Sequence, residues 1–315
     1  MSLFQNQNSV NQFLTSFHGF EIFLKREDLL HSTVSGNKFR KLKYNLLQAQ
    51  EVGHNTLLTF GGPFSNHLTA TAAAGKMMGF KTIGVVRGEE ERKLNPSLQF
   101  CQDQSMILYP ISRSDYRQRH LPELMMQLKN KFGVFYPLPE GGTNSLAVKG
   151  CKEILTEGDA SFDVIACSVG TGGTLAGLIE SVLPHQKVMG FSALRNQNLA
   201  VEISKLTSKQ NWSINHDYSF GGYAKVSLSL IEFINTFNKN FKTPLDPVYT
   251  GKLLFGIFDL IKNKKWSSGK KILIIHTGGL QGIEGMNQKL SKKNGPKSIF
   301  DLSFFNSHTD FQQLW

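Results

Sequence analysis

Cysteine is scarce in this chain, and the three present, Cys101, Cys151 and Cys167, lie far apart. They form no Cys-x-x-Cys pair and no zinc-ligand spacing, which excludes a disulfide framework and a thioredoxin-like redox pair and leaves no metal to expect. Reduced, buried thiols are the expectation. Long hydrophobic runs are missing too, and none approaches the ~18 residues of a membrane span. No Lys or Arg precedes Lys25, so neither a secretory signal nor a transit peptide is expected, and a cytoplasmic location follows. Internal repeats and low-complexity linkers are absent. Acidic residues are the minority, 24 against 35 Lys and Arg, for a net charge of +11. That excess could serve a polyanion. Much of it sits in short clusters such as Lys262-Asn-Lys-Lys265, Lys270-Lys271 and Lys292-Lys293, and no nucleic-acid motif accompanies it, so a solvated surface is the better reading.

What is present is a soluble-protein composition, 40% hydrophobic over 315 residues, enough for about two domains with real cores. The most informative stretch is Asp163-Val-Ile-Ala-Cys-Ser-Val-Gly-Thr-Gly-Gly-Thr174. An apolar strand runs into a turn of glycines and threonines, and helical periodicity follows from Leu175 to Leu183. Such a turn gathers backbone N–H groups at a helix N-terminus, where the helix dipole favours an anion. A dinucleotide fingerprint fails because Leu175 holds the position its third glycine needs, and a P-loop fails because no Lys follows. A cradle for one small phosphate remains, beside the plainer reading of a structural strand-to-helix turn.

Strand and helix signals alternate along the whole chain. Strands are expected at 20–28, 56–60, 82–87, 107–109, 134–137, 187–192 and 271–276. Helices are expected at 38–52, 68–78, 121–132, from Thr143 to about Glu157, at 199–206, from near Val226, and after Tyr249. This order predicts an α/β fold of open, mostly parallel sheets with flanking helices. Four glycine turns, Gly61-Gly62, Gly141-Gly142, Gly170 to Gly173 and Gly278-Gly279, each follow a strand signal. Ligands of such sheets bind beyond the carboxyl ends of strands, so the turns are expected to converge.

A phosphate cradle without nucleotide motifs suggests a compact phosphorylated cofactor. Pyridoxal phosphate also needs a lysine able to form an imine. Lys38 starts a helix after Ser35-Gly36-Asn37, and a helix N-terminus disfavours a cation, which helps keep an amine neutral and nucleophilic. Lys25, Lys41 and Lys252 are its rivals.

Six motifs carry a resemblance: Lys25-Arg-Glu-Asp28, Gly36-Asn-Lys-Phe-Arg-Lys41, Gly61-Gly-Pro-Phe-Ser-Asn-His67, Val169-Gly-Thr-Gly-Gly-Thr174, Tyr249-Thr-Gly-Lys252 and His276-Thr-Gly-Gly279. Their ordered set resembles the family of 1-aminocyclopropane-1-carboxylate (ACC) deaminases and D-cysteine desulfhydrases, over nearly the whole chain from about Phe20 to Met286. The resemblance implies the tryptophan-synthase-β type of fold, called fold type II, with pyridoxal 5'-phosphate between two domains. It implies a large domain of residues 1–52 plus 139–315, a small one of 53–138, and a homodimer. Lys38 would be the Schiff-base lysine. Asn66 would bond the cofactor's 3-oxygen, and Gly170, Thr171, Gly172, Gly173 and Thr174 would hold the phosphate. Ser65 would contact the substrate carboxylate or join proton transfer, with Asn66 and His67 beside the substrate. Tyr223 and Tyr249 match the family's pocket tyrosines. Beside these roles stand plainer ones: Ser65 and Asn66 as helix caps, and the tyrosines as half-buried core aromatics. His67 stands where the deaminases carry glutamine.

The informative departures are Thr250 and Thr277. ACC deaminases carry Glu after the tyrosine and Leu before the Gly-Gly, whereas the desulfhydrases carry small hydroxyl residues at both. A glutamate at the pyridine nitrogen would hold a proton there and make a strong electron sink. A threonine gives only a neutral hydrogen bond, which can suffice when the α-proton is acidic and a thiolate can leave. The expectation is β-elimination from a small D-amino acid, with D-cysteine giving pyruvate, ammonia and sulfide. β-Chloro-D-alanine and D-serine are further candidates. The alternatives are an ACC deaminase giving 2-oxobutanoate and ammonia, an amino-acid racemase, a protein that holds the cofactor without turnover, and a polyanion binder.

Overall fold

The computed structural model describes residues 3–5, 9–89 and 93–291, so Lys292-Lys293 lies outside the described residues. Two sheets build the molecule. The first is a hairpin of β1 (Asn11–Phe17) and β2 (Phe20–Lys25), extended by β7 (Val164–Val169), β8 (Lys187–Ser192), β9 (Trp212–Asn215) and β10 (Lys271–Ile275) in the order β1-β2-β10-β7-β8-β9. The second holds β3 (Thr56–Gly61), β4 (Lys81–Arg87), β5 (Ile107–Ile111) and β6 (Tyr136–Leu138) in the order β5-β4-β3-β6. Every pairing is parallel except β1 with β2. That hairpin turns on His18 and Gly19, both at positive φ (50° and 80°), the two-residue turn whose twist matches paired strands.

The central strands are apolar because both faces are covered. All of β7, Val-Ile-Ala-Cys-Ser-Val, is buried. On one face of its sheet lie α9 (Leu228–Phe241) and α10 (Thr250–Lys262), bringing Phe233, Phe237, Leu254 and Phe258 against Ile22, Leu24 and Ile274. On the other lie α7 (Gly173–Ser181) and α8 (Leu199–Ser204), whose Leu178 and Ile203 meet Ile165 and Leu273. In the second sheet's core Leu57 packs with Phe39, Leu42 and Leu46 of α1 (Asn37–Glu51) and with Ala70 and Ala73 of α2 (Asn66–Met77). Short helices α3 (Pro96–Asp103), α4 (Arg113–Arg117) and α5 (Pro122–Phe132) complete its crossovers. α6 (Ser145–Cys151) packs on α1 and α7, and α11 (Gly282–Ser291) closes the described chain.

Several elements depart from the sequence reading. The helix expected from Thr143 to Glu157 stops at Cys151 and tightens into a 3-10 turn at Lys152–Ile154. Thr156 then opens a separate turn, because its N–H donates to the Asp159 carboxylate (2.8 Å). Asp159 in turn pairs with Lys25 (2.8 Å), both buried. The helix expected near Val226 begins only at Leu228, where Ser227 caps it. The strands β1 and β9 and the helices α3, α4 and α11 were not anticipated. As for the thiols, all three cysteines are buried and free, and no helix among the described residues is long and apolar enough to cross a membrane.

Candidate active site

All four glycine turns reach one cavity of about 270 Å³ between the two sheets, with Gly62, Gly141, Gly170, Gly172 and Gly278 in its wall. The turns after β3, β7 and β10 all leave the carboxyl ends of parallel strands, where this architecture places ligands.

Lys38 enters from the first turn of α1. Among the described residues its amine has one hydrogen-bond partner, the Asn37 side chain (3.1 Å). Burial, and next the Lys41 charge, lower its pKa to about 7, so near neutral pH a large share of it is a free base able to attack a carbonyl. The rivals are otherwise engaged. Lys25 pairs with Asp159. Lys252 donates to the Ser219 and Gly222 carbonyls (2.8 Å each). Lys41 donates to Gly141 O (3.0 Å) and Thr143 Oγ1 (2.9 Å), with Thr171 Oγ1 at 3.4 Å.

The glycine loop after β7 is a cradle for an anion. Gly172 takes the left-handed conformation (φ 84°) that starts α7, which a side chain would strain. A Cβ on Gly173 would lie 2.8 Å from Thr143 Oγ1 and 3.2 Å from Lys41 Nζ. The glycine thus leaves room for a cation directly behind the loop. Loop N–H groups and the start of α7 form a donor set suited to a phosphate monoester, with the Lys41 charge behind it.

Ser65 is the N-cap of α2, as its plainer reading expected: Oγ accepts from the N–H of His67 (3.2 Å) and Leu68 (3.3 Å). Its lone pairs are thereby used and its proton is left to donate into the cavity. Asn66 follows in the wall. His67 is buried, with Nε2 2.9 Å from Thr59 Oγ1. The Thr59 hydroxyl gives its single proton to Leu138 O (3.1 Å), so the imidazole donates from Nε2. Burial, reinforced by Lys38 and Lys41, holds its pKa well below the usual value, and His67 is neutral.

Tyr249 and Tyr223 stand edge to face, 6.4 Å between centroids, in the wall of the same cavity. Burial keeps both phenols protonated, Tyr249 most strongly. Gly170 makes space for the Tyr249 ring, since a Cβ there would meet Cε1 at 3.3 Å. Asp246 fixes the backbone at Tyr249: its carboxylate accepts from the N–H of Val248, Tyr249 and Thr250 at 2.7–2.9 Å.

Of the residues singled out from sequence, Lys38, Ser65, Asn66, His67, Gly170, Thr171, Gly172, Thr174, Tyr223, Tyr249 and Thr277 line the cavity. Gly173 lies just behind the wall. Thr250 is wholly buried and lies outside that wall. The two threonines are thus told apart: Thr277 faces the cavity, its hydroxyl 3.2 Å from that of Ser168. The structure adds Asn37, Ser168, Arg87 and Glu140 to the wall, and places there Lys41, which the sequence offered only as a rival for the imine. Lys41 could have been found as the i+3 neighbour of Lys38 on one helix face, and Ser168 as the polar residue in a buried strand.

Residues 11–278 match the model of the pyridoxal-phosphate-dependent enzyme family. A Pyrococcus horikoshii protein, provisionally named an ACC deaminase, is 33% identical over 289 residues, 86% of this chain and 88% of that one. An Arabidopsis thaliana protein named bifunctional D-cysteine desulfhydrase/ACC deaminase is 30% identical, over 91% of this chain and 79% of that one. Among solved structures, an ACC deaminase homologue superposes with a TM-score of 0.76 at 30% identity, over 90% of this chain and 93% of that one. A cystathionine β-synthase from Helicobacter pylori (TM-score 0.68, 14% identity, 95% and 98% covered) shows the fold alone. A free amine at Lys38, an anion cradle on α7 and hydroxyls at Thr277 and Ser168 fit pyridoxal phosphate, and the fold is that of the fold type II enzymes. The chain belongs to the pyridoxal-phosphate-dependent enzymes, in the family of ACC deaminases and D-cysteine desulfhydrases.

Proposed function

We propose that this enzyme catalyses β-elimination on a small D-amino acid, foremost D-cysteine, releasing pyruvate, ammonia and sulfide. The observation that supports this choice is the hydroxyl pair of Thr277 and Ser168 at the ends of β10 and β7. Hydroxyls stabilise a ring nitrogen by a neutral hydrogen bond, without a proton-holding charge. The carboxylate in the cavity wall, Glu140, is occupied by the Tyr116 hydroxyl (2.8 Å) and by Arg119 (2.6 Å). An electron sink tuned in this way suits loss of an acidic α-proton and a thiolate better than opening of a cyclopropane.

When bound, pyridoxal phosphate supplies a carbonyl for the substrate amine and a ring that accepts electrons from the α-carbon. Lys38 would hold the cofactor and would serve as the base for the substrate's α-proton, a role its pKa of about 7 suits. Gly170, Thr171, Gly172, Gly173, Thr174 and Lys41 hold the phosphate. Asn66 would orient the ring, and Thr277 with Ser168 would meet its nitrogen. The Ser65 proton and the N-terminus of α2 receive the α-carboxylate, with His67 packed beneath them. Tyr249 and Tyr223 act as donors over the substrate. The active unit is a homodimer, with the chain divided into a large domain (1–52 plus 139–315) and a small one (53–138).

Elimination is tested by adding D-cysteine, L-cysteine and ACC separately to the purified protein while recording its visible cofactor band. A response to D-cysteine with sulfide and pyruvate released is expected. A response to ACC with 2-oxobutanoate would overturn the weight placed on Thr277. The Lys38→Ala protein should hold no covalently linked cofactor. A link that survives, found by borohydride reduction and peptide mapping, would place it on another lysine.

A further inference from the structure

The cavity wall carries three basic side chains, and two have assigned work within the proposed function. Lys38 faces the reacting centre, and Lys41 is enclosed by Gly141, Thr143 and Thr171 behind the phosphate cradle. The third, Arg87, ends β4 at the carboxyl edge of the second sheet, where its exposed side chain borders the cavity. Among the described residues no ion pair engages it. Its position is nevertheless fixed on two sides. The guanidinium lies over the Tyr116 ring (5.6 Å to the centroid), and Tyr116 is held by its hydrogen bond to Glu140. Gly62 leaves space beneath it, since a Cβ there would come within 3.2 Å of Nη2. Glu140 does not neutralise it, because that carboxylate is paired with Arg119 across the same ring.

The substrate's α-carboxylate already has receivers in Ser65 and the N-terminus of α2. A planar fork of charged donors next to them suits a second anion. We propose that Arg87 recognises a carboxylate or similar anionic group on the β-substituent of the substrate, so that the enzyme accepts β-thioether amino acids carrying a second negative charge. This rests on the elimination reading. With S-carboxymethyl-D-cysteine the α-proton passes to Lys38, the Cβ–S bond breaks, and the electron pair leaves on sulfur as the thiolate of thioglycolate. Water then converts the released enamine to pyruvate and ammonia.

The test compares S-carboxymethyl-D-cysteine with its uncharged isostere S-carbamoylmethyl-D-cysteine, alongside D-cysteine, in the wild-type holoenzyme and in Arg87→Gln and Arg87→Lys. The wild type should favour the carboxymethyl compound by about tenfold or more in kcat/KM, the scale of a hydrogen bond to a charged group. Arg87→Gln should bring the ratio to about one, and Arg87→Lys should retain part of it. A wild-type ratio near one would overturn the proposal. So would an equal loss on all three substrates in Arg87→Gln, which would place Arg87 on the carboxylate common to every amino acid. If neither D-cysteine nor a thioether is turned over, the elimination reading has failed. Calorimetric binding of the two thioethers to the holoenzyme then decides Arg87 by the same ratio.

Discussion

Gly36 is where the lysine-bearing helix touches the turn that carries Thr277, and replacing it with alanine tests how tightly the site depends on that contact. A Cβ at this position would lie 2.0 Å from Thr277 O and 2.7 Å from Gly278 N. An ordinary carbon–oxygen contact is about 3.3 Å, so the two segments must separate by about 1.3 Å. The backbone at Gly36 (φ 62°, ψ −147°) is a conformation nearly confined to glycine, costing a side chain about 1–3 kcal/mol. Separation also strains the Asn37 N–H bond to Thr277 O, now 3.3 Å, a further contribution of about 1 kcal/mol. With the residual overlap the loss is about 3–5 kcal/mol in urea unfolding. Lys38 lies two residues on, and a misplacement of about 1 Å costs on the order of 100-fold in rate. Gly53→Ala is the control: it too has positive φ (74°), but nothing lies within 4 Å of its Cβ, so it carries the backbone cost alone, about 1 kcal/mol. If Gly36→Ala unfolds within about 1 kcal/mol of Gly53→Ala and captures cofactor normally, the reasoning about this close approach is wrong.

The pH dependence of cofactor capture follows from Lys38. Burial lowers its pKa to about 7, and only the neutral amine attacks a carbonyl. The capture rate should therefore rise with pH up to about 7 and level off above it, read by stopped-flow absorbance on the apoprotein. Lys41→Met removes a cation that helps lower that pKa, so its midpoint should move up while its phosphate affinity falls. Elsewhere, Arg40 and Glu27 form a fully buried ion pair (2.8 Å) beneath α1. Arg40→Met alone should cost about 3–5 kcal/mol by stranding the carboxylate, whereas Glu27→Met/Arg40→Met should recover most of that loss in urea unfolding.

Much of the site was legible because its parts are local. Each strand, glycine turn and helix start is a run of about ten residues, and a cavity at the carboxyl ends of parallel strands follows from the order of elements. What escaped were residues placed by long-range packing. Arg87 and Glu140 reach one cavity from the ends of β4 and β6 only because β3 lies between those strands. β1 and β9 escaped for another reason. They are the two edge strands of their sheet, each half-exposed along its length, so the apolar run that marks a central strand is absent. The helix overextended past Cys151 failed because its ending depends on Asp159, whose partner Lys25 is 134 residues away.

The two threonines on which the choice of reaction leaned are not equal once placed. Thr250 looked like the direct counterpart of the deaminases' glutamate, since it follows the pocket tyrosine. Here its N–H lies 2.7 Å from the Asp246 carboxylate, and its side chain is sealed outside the main cavity. A glutamate at 250 would share that enclosure with Asp246, and two carboxylates so close cannot both ionise without moving apart. The position therefore accommodates a carboxylate only if the start of α10 is rebuilt. Thr277 needs no such change, because its hydroxyl already faces the cavity beside Ser168. The argument for a weakly polarised ring thus rests on Thr277 and Ser168. Thr250 contributes to it by exclusion, since a small side chain there lets Asp246 spend its charge on the first N–H groups of α10 and hold Tyr249 in the cavity wall.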